Sequence, residues 1–415
     1  MANQMTGEQM RDMSQNAKRL GFRPERLMLL DERLTQWSKT KETPSIVARV
    51  LRHGQPAFEG AYGALGPDKA PDSLTADAIF PVCSMTKAVM TALLCVMQEE
   101  GLIDLNYPVR DYIPELTCDP KGKIRFWHLL THTSGLIEAD MDKHFYDYIK
   151  RNVNLPIPDR DMPQQAWDEI YLKIREQLGL PYMEPCDAVR RQTYNAVRMS
   201  APPTHGVHKV MSYCSLGFDL IKETIVKISG KPIDQVAGEK LFGPLGMRDS
   251  HFIFPRGKMP RYVTRGEEYC GSHWLNESVL DSESGGGGLK STAADMTRFG
   301  QMFLNQGKLD GVRVLSPATV NEITRDHNPD MPDAEFDGEM YGSNWGLGFG
   351  VLCGKKDDLG SLRSARSFDH GGFGCVMLMC DPDYDLVTAF FSVALEDNWP
   401  HMALFHNMVH GAIDE

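Results

Sequence analysis

The stretch from Phe80 to Met97 constrains the fold of this chain more than any other part of the sequence. Its second half, Ala88 to Met97, carries no charge and would present apolar side chains on every side of a helix. A helix that is apolar all round lies in the interior of a protein rather than on its surface. Gly101 follows at a place where a residue in the left-handed conformation commonly ends a helix. The sequence therefore predicts a buried helix that ends just before Gly101.

Ser84 and Lys87 stand at the start of this predicted helix, three residues apart and therefore on one face of it. A lysine in an apolar interior is costly unless it is paired or neutral, and a desolvated lysine can act as a base. Such a base would activate the serine hydroxyl, which is otherwise a poor nucleophile. A capping role would explain Ser84 but not Lys87, so the pair is a candidate nucleophile and base.

The Ser-x-x-Lys spacing is weak when it stands alone, and the chain contains a second example at Ser38 and Lys41. That copy lies in a polar, charged helix end before Pro44, where the pattern predicts a solvated surface. Ser84 differs because its surroundings are apolar.

The charge balance limits the classes of partner. The chain of 415 residues has a formal net charge of -12, whereas nucleic acids and anionic membranes are bound by basic patches. No apolar run reaches the roughly 18 residues that a membrane span needs, and the polar start of the chain has no apolar segment of the signal-peptide type. We expect a cytoplasmic protein with no nucleic-acid partner and no membrane span.

The cysteines also favour a reducing compartment. The chain has nine of them, an odd number, and none forms a Cys-x-x-Cys pair. Cys95, Cys375 and Cys380 lie inside apolar runs. We therefore expect buried free thiols. No zinc-binding His-Glu-x-x-His helix occurs, and we predict neither a metal nor a cofactor.

Strand patterns occur near both ends of the chain, and helical patterns dominate its middle. Residues 24–39 predict a core-facing helix, and residues 45–52 and 57–65 predict a hairpin. The later strand patterns cover residues 346–353, 367–370, 374–380 and 386–394. Residues 138–200 show helical patterning and no strand pattern.

This order predicts an α+β fold, in which both chain ends build one antiparallel sheet flanked by helices around an inserted all-helical domain. We assign residues 1–83 and 245–415 to the α/β domain and residues 84–244 to the mainly helical domain. The active site would lie at their interface. Residues 285–288 would form a flexible glycine turn before a helix capped by Thr292.

Two further stretches carry chemistry. Tyr213 precedes a helical run, and a tyrosine facing a Ser/Lys pair can relay protons, although alone it is more often a core residue. His370 begins a His-Gly-Gly triplet at a late strand, where glycines let a substrate lie against the backbone and a strand N–H can complete an oxyanion hole. By itself the triplet is also typical of a glycine-containing turn between strands.

Together, Ser84-x-x-Lys87, Tyr213-x-Ser215 and His370-x-Gly372 resemble the motifs of the serine β-lactamase and penicillin-binding-protein family. The resemblance is greatest to class C β-lactamases, family VIII carboxylesterases and fungal acyltransferases, and it covers roughly residues 25 to 412. Three other segments support it: residues 129–136, 244–247 and 288–296.

The resemblance implies a β-lactamase/transpeptidase-like fold and assigns roles to individual residues. Ser84 would be the acylated nucleophile and Lys87 its base partner, and Tyr213 would share the proton transfers. Whether Lys87 or Tyr213 takes the first proton stays open. The backbone N–H groups of Ser84 and Phe373 would form the oxyanion hole. The remaining candidate substrate-binding residues are His370, Gly371, Gly372 and Ser215, and His132 would be structural.

Two departures from the β-lactamase pattern shift the resemblance towards esterases. Ser215 replaces an asparagine, and His370 replaces a lysine that would hold a β-lactam carboxylate. We therefore expect a serine carboxylesterase that cleaves small or short-chain esters through a Ser84 acyl-enzyme. The alternatives are acyl transfer to an alcohol or amine, β-lactam or D-Ala peptide hydrolysis, and a non-catalytic scaffold. The expected partner is a small-molecule ester, and a homo-oligomer is left open.

Overall fold

A computed structural model provides the fold. It describes residues 15–40, 43–114, 116, 121–136, 173, 176–177, 207–264, 280–333, 344–354, 358–394 and 399–414. The predicted helical block at 138–200 lies outside these residues except at three positions, all helical. The division into two domains therefore stays a prediction.

Strands from both ends of the chain form one antiparallel sheet. The strands are β1 (Ser45–Arg52), β2 (Gln55–Gly63), β3 (Phe80–Pro81), β4 (Lys290–Ser291), β5 (Lys308–Leu309), β6 (Val312–Arg313), β7 (Gly350–Val351), β8 (Phe368–Gly372), β9 (Val376–Asp381) and β10 (Leu386–Ser392). Six of them form the sheet in the order β2-β1-β10-β9-β8-β7. The two chain ends meet where β1 pairs with β10, for example Ile46 with Ser392. The predicted α+β fold with a sheet built from both chain ends is confirmed.

The helices lie on both sides of this sheet and between its two halves in the sequence. They are α1 (Pro24–Lys39), α2 (Thr86–Glu99), α3 (Phe126–Leu130), α4 (Leu216–Ser229), α5 (Ile233–Ala237), α6 (Gly243–Leu245), α7 (Ala293–Leu304), α8 (Pro317–Thr324) and α9 (Trp399–His410). Thr292 caps α7 as predicted, because its hydroxyl accepts a hydrogen bond from the Asp295 backbone N–H at 3.1 Å.

Each face of the sheet has its own hydrophobic core. Along β1, Val47 and Leu51 belong to the larger core, whereas Ile46, Ala48 and Val50 belong to the smaller one. Successive side chains of a strand point to opposite faces, so both faces of β1 are covered. Helix α7 contributes to the larger core, and helices α1 and α9 contribute to the smaller one. Burial on both faces explains why these strands are apolar almost throughout.

Helix α2 is the predicted buried helix, and every residue from Thr86 to Met97 is buried. Gly101, with a φ of 72°, follows its end in the left-handed conformation, as predicted. Ser84 lies outside α2, in a separate 3-10 turn, Cys83–Met85. The positive φ of Cys83, 48°, sets this turn apart from the preceding strand.

The predicted strand at 346–353 is wrong over most of its length. Only Gly350 and Val351 pair with β8. Gly348 has a φ of 67°, and a Cβ there would lie 2.0 Å from the Thr91 hydroxyl of α2. The chain therefore bends past α2 instead of running on as a strand, and only glycine fits this approach.

The cysteines within the described ranges are free thiols. Cys83, Cys95, Cys214, Cys375 and Cys380 are buried, as expected for the three in apolar runs, and Cys353 is exposed. Over the same ranges, each helix is too short or too polar to cross a membrane.

Candidate active site

The turn that carries Ser84 is held from the side by the segment that leads into β4. The Val82 N–H donates to the Leu289 carbonyl at 3.0 Å. The Thr86 hydroxyl donates to the Cys83 carbonyl at 2.6 Å and accepts from the Leu289 N–H at 3.1 Å. Cys83 adopts a left-handed conformation that costs a non-glycine residue about 1–3 kcal/mol. These bonds hold that conformation in place and fix the direction of the half-buried Ser84 side chain.

Lys87 is fully buried beside Ser84. Its Nζ atom donates to Ser84 Oγ at 3.0 Å and to the Gly286 carbonyl oxygen at 2.7 Å. The same Nζ lies 4.8 Å from the centre of the Tyr213 ring and 5.8 Å from that of the Phe218 ring. The ring faces are electron-rich and stabilise an ammonium group. Because the Gly286 carbonyl only accepts, an amine at this position could keep that bond and direct its lone pair towards Ser84.

The glycine turn that bonds Lys87 is itself anchored by Asp219 of α4. Asp219 Oδ1 accepts from the Ser284 hydroxyl at 2.9 Å, from the Gly285 N–H at 2.8 Å and from the Gly286 N–H at 3.3 Å. A Cβ at Gly285 would lie 2.2 Å from the Phe218 carbonyl oxygen, so the turn packs tightly on α4. The expected flexible turn is thus a fixed support for the Lys87 ammonium group.

Tyr213 and His370 contact each other through their side chains. The Tyr213 hydroxyl lies 3.3 Å from His370 Nε2, and His370 Nδ1 lies 2.7 Å from the Gly348 carbonyl oxygen. Burial, and after it the charge of Lys87, lowers the pKa of His370 to about 3, so the imidazole is neutral near pH 7. Since a carbonyl only accepts, the single ring proton lies on Nδ1. Nε2 therefore accepts the hydrogen of the Tyr213 hydroxyl.

The end of β8 lies against the Ser84 turn. A Cβ at Gly372 would come 2.4 Å from the Val82 carbonyl oxygen and 3.1 Å from the Ser84 backbone nitrogen. Gly371 pairs with Met377 inside the sheet, and the half-buried Phe373 follows in the turn to β9. The backbone after Gly372 thus passes beside the Ser84 N–H. An oxyanion hole needs a second hydrogen-bond donor at this place.

Replacing Gly372 with alanine is expected to lower the ester hydrolysis predicted from the sequence on the order of 10²-fold or more, because the strand end must move away from Ser84 and a shift of about 1 Å costs this much. Kinetics with a short-chain aryl ester would measure the effect. The matched control is Gly257→Ala, since a Cβ at Gly257 meets nothing within 4 Å. Unchanged turnover by Gly372→Ala would contradict a role for this backbone.

A family model described as Beta-lactamase matches residues 30–412. The chain belongs to the beta-lactamase family.

Relatives of this family member include enzymes named as esterases. Protein Rv1367c of Mycobacterium tuberculosis is 27% identical over 349 residues, which are 76% of this chain and 77% of that protein. Esterase EstB of Burkholderia gladioli is 22% identical over 411 residues, 89% of this chain and 93% of that protein. A solved structure of a family VIII carboxylesterase has a TM-score of 0.66 at 17% identity and covers 91% of this chain and 97% of its own. The chain is a member of a hydrolase family with esterase relatives.

Most predicted site residues of this beta-lactamase family member lie in one cluster, which contains Ser84, Lys87, Tyr213, His370 and Gly372. The predicted substrate-binding residue at position 215 instead lies at the start of α4, packed against the glycine turn. Their roles in catalysis stay predictions. No three His, Cys, Asp or Glu side chains in the described ranges are grouped as metal ligands.

Sequence reasoning missed three groups that support this cluster: the Asp219 carboxylate and the carbonyls of Gly286 and Gly348. Asp219 carries a signal, because it is a carboxylate in the otherwise apolar run from Leu216 to Ile221. A backbone carbonyl carries none, since every residue has one.

Proposed function

We propose that this chain is a serine carboxylesterase that cleaves small or short-chain esters through an acyl-enzyme on Ser84. The observation that carries the proposal is the buried Lys87 side chain, whose Nζ lies 3.0 Å from Ser84 Oγ and is hydrogen-bonded to the Gly286 carbonyl. A base needs hydrogen-bond reach to the proton that it removes. Among the described side chains, Lys87 is the one that hydrogen-bonds Ser84 Oγ.

In the proposed first step, Ser84 Oγ attacks the ester carbonyl while its proton moves to Lys87 Nζ, in the amine form. The N–H groups of Ser84 and Phe373 would hold the oxyanion. The tetrahedral intermediate then breaks its bond to the alcohol oxygen, which takes the proton back from Lys87. In the second step water attacks the acyl group, and Ser84 regains its proton as the acid leaves.

We assign the first proton transfer to Lys87 rather than to Tyr213. The Tyr213 hydroxyl hydrogen points at His370 Nε2, so the tyrosine is placed as a donor to that histidine. Lys87 in contrast already contacts the hydroxyl of Ser84. Tyr213 would then act later, by stabilising the departing alcohol oxygen.

The preference for esters over β-lactams rests on His370. At this strand position a cation would bind a substrate carboxylate, but the His370 imidazole is neutral because burial and Lys87 lower its pKa to about 3. A neutral ring gives no charge-assisted bond to an anion. Uncharged esters are therefore the better matched substrates.

The proposal is tested by labelling the protein with an alkyl fluorophosphonate and locating the adduct by mass spectrometry. We expect one adduct, on the peptide that contains Ser84, and faster turnover of a short-chain aryl ester than of a chromogenic cephalosporin. Ser38, the other Ser-x-x-Lys serine, is an internal control and should stay unlabelled. Absence of both an adduct and ester turnover would favour a scaffold, and faster cephalosporin turnover would favour a β-lactamase.

A further inference from the structure

His132 follows helix α3 in a conformation that is unusual for its residue type. Its φ is 57°, in the left-handed region, and its side chain is 1% exposed. A non-glycine residue in this region is strained and persists only where its surroundings hold it. The neighbours that hold His132 in this conformation lie around Tyr213.

His132 contacts the chain on both sides of Tyr213. Its carbonyl oxygen accepts the Ser212 N–H at 2.8 Å, and its ring Nδ1 lies 3.0 Å from the Cys214 backbone nitrogen. Its ring also stacks on the Tyr213 ring, with 4.3 Å between centres and 28° between planes. One residue therefore fixes the backbone before Tyr213, the backbone after it and the plane of its ring.

The protonation state of His132 follows from these partners. A backbone N–H only donates, so Nδ1 must carry the lone pair and the single proton lies on Nε2. Burial, and after it the charge of Lys87, holds the pKa of His132 well below its usual value. Within the part of the chain that the structure describes, Nε2 has no hydrogen-bond partner. The polar contribution of the ring to this site is therefore the bond to Cys214.

We propose that His132 is a positioning residue that sets the direction of the Tyr213 hydroxyl towards His370 Nε2. A tyrosine side chain can rotate at two bonds, and the stack with His132 restricts both. The bond to Cys214 fixes the backbone from which Tyr213 projects. The inference rests on the proposed function in one respect, namely that the Tyr213 hydroxyl takes part in the reaction.

Two substitutions of His132 separate the contribution of ring stacking from that of the hydrogen-bond acceptor. His132→Phe keeps an aromatic ring against Tyr213 but removes the acceptor of the Cys214 N–H. His132→Asn keeps an acceptor near the Nδ1 position and tolerates a positive φ, but it removes the stack. A buried N–H without a hydrogen-bond partner costs more free energy than a lost ring contact. We therefore expect His132→Phe to lower kcat more than His132→Asn does.

For His132→Phe we expect kcat for a short-chain aryl ester to fall on the order of 10²-fold, as for a catalytic group displaced by about 1 Å. KM should change little, because Tyr213 is not assigned to ground-state binding. In a Tyr213→Phe background, His132→Phe should cause no further fall, since it acts through the missing hydroxyl. An equal further fall would overturn the proposal in favour of a general structural role.

His128 is the matched control. It is also a buried histidine, on α3, and its Nδ1 accepts a backbone N–H, that of Arg125 at 2.9 Å. Its ring neighbours in the described residues are Trp127 and His208 rather than Tyr213. His128→Phe should lower the melting temperature about as much as His132→Phe and leave kcat near that of the wild type.

A crystal structure of His132→Phe tests the inference without any activity. We expect the Tyr213 hydroxyl to move beyond hydrogen-bonding distance of His370. An unmoved hydroxyl would overturn the positioning role even in an active enzyme. If the hydroxyl moved in the variant while the wild-type protein neither reacted with the fluorophosphonate nor hydrolysed esters, the positioning role would be upheld and the proposed function rejected, so the two failures can be told apart.

Discussion

Replacing Ser84 with alanine is expected to abolish ester hydrolysis, with kcat/KM falling on the order of 10⁴-fold or more, because the acyl-enzyme can no longer form. The fold should be unaffected. The turn at Cys83–Met85 is held through the backbone of Val82 and the hydroxyl of Thr86, so losing the Ser84 hydroxyl removes only the bond from Lys87. We therefore expect a melting temperature close to that of the wild type.

The measurement is steady-state hydrolysis of a short-chain aryl ester, together with fluorophosphonate labelling. Ser38→Ala is the matched control, because Ser38 has the same Ser-x-x-Lys spacing. It should keep full activity and full labelling. If Ser84→Ala retained the wild-type rate, the acyl-enzyme mechanism would be wrong, whatever the behaviour of the control.

Replacing Lys87 with methionine is expected to lower activity strongly and to change the stability of the fold much less. Loss of the base should lower kcat/KM by roughly 10²–10⁴-fold, the usual contribution of general acid–base catalysis. Methionine has a similar volume and carries no charge, and replacing a buried charge by an apolar side chain is often neutral or stabilising. The Gly286 carbonyl loses its donor, at a cost of about 1–3 kcal/mol, which offsets part of this gain.

Kinetics and thermal unfolding of the same samples would test this expectation. Lys222→Met is the matched control, because Lys222 is also buried and lies on α4. The control should keep its activity. A Lys87→Met protein with near wild-type turnover would transfer the role of base to Tyr213, and one that fails to fold would show that Lys87 is needed for the core.

The parts of the fold that could be predicted from the sequence are those set by local patterns. Helix α1 was predicted at residues 24–39 because Leu27, Leu30, Leu34 and Trp37 recur at helical spacing, and all four are buried. Helix α2 and the strands β1, β9 and β10 could be predicted from their apolar runs, because such a run indicates a buried segment.

The parts that could not be predicted depend on contacts between distant segments. The strand expected at 346–353 ends early because Gly348 must pass the Thr91 hydroxyl, and no local pattern marks that approach. Ser84 was expected in the helix, but the bonds of Leu289 to Val82 and Thr86 hold a separate turn there.

The candidate site shows the same division. The pairing of Ser84 with Lys87 follows from their spacing in the sequence, because they are three positions apart. Their proximity to Tyr213 and His370 was inferred from a family resemblance. Sequence spacing could not predict it, because Tyr213 and His370 are more than a hundred residues apart in the chain. The support of Lys87 by Asp219 through the glycine turn required the structure.

The pairing of β1 with β10, which joins the two ends of the chain, has a consequence for biosynthesis. Arg52 pairs with Leu386, 334 positions later in the chain, so one partner leaves the ribosome well before the other, and at 5–20 residues per second the delay is tens of seconds. During this time β1 exposes an unpaired edge to the crowded cell, and such edges recruit other chains. We therefore expect the nascent β1–β2 hairpin to need protection by chaperones until β10 has been synthesised.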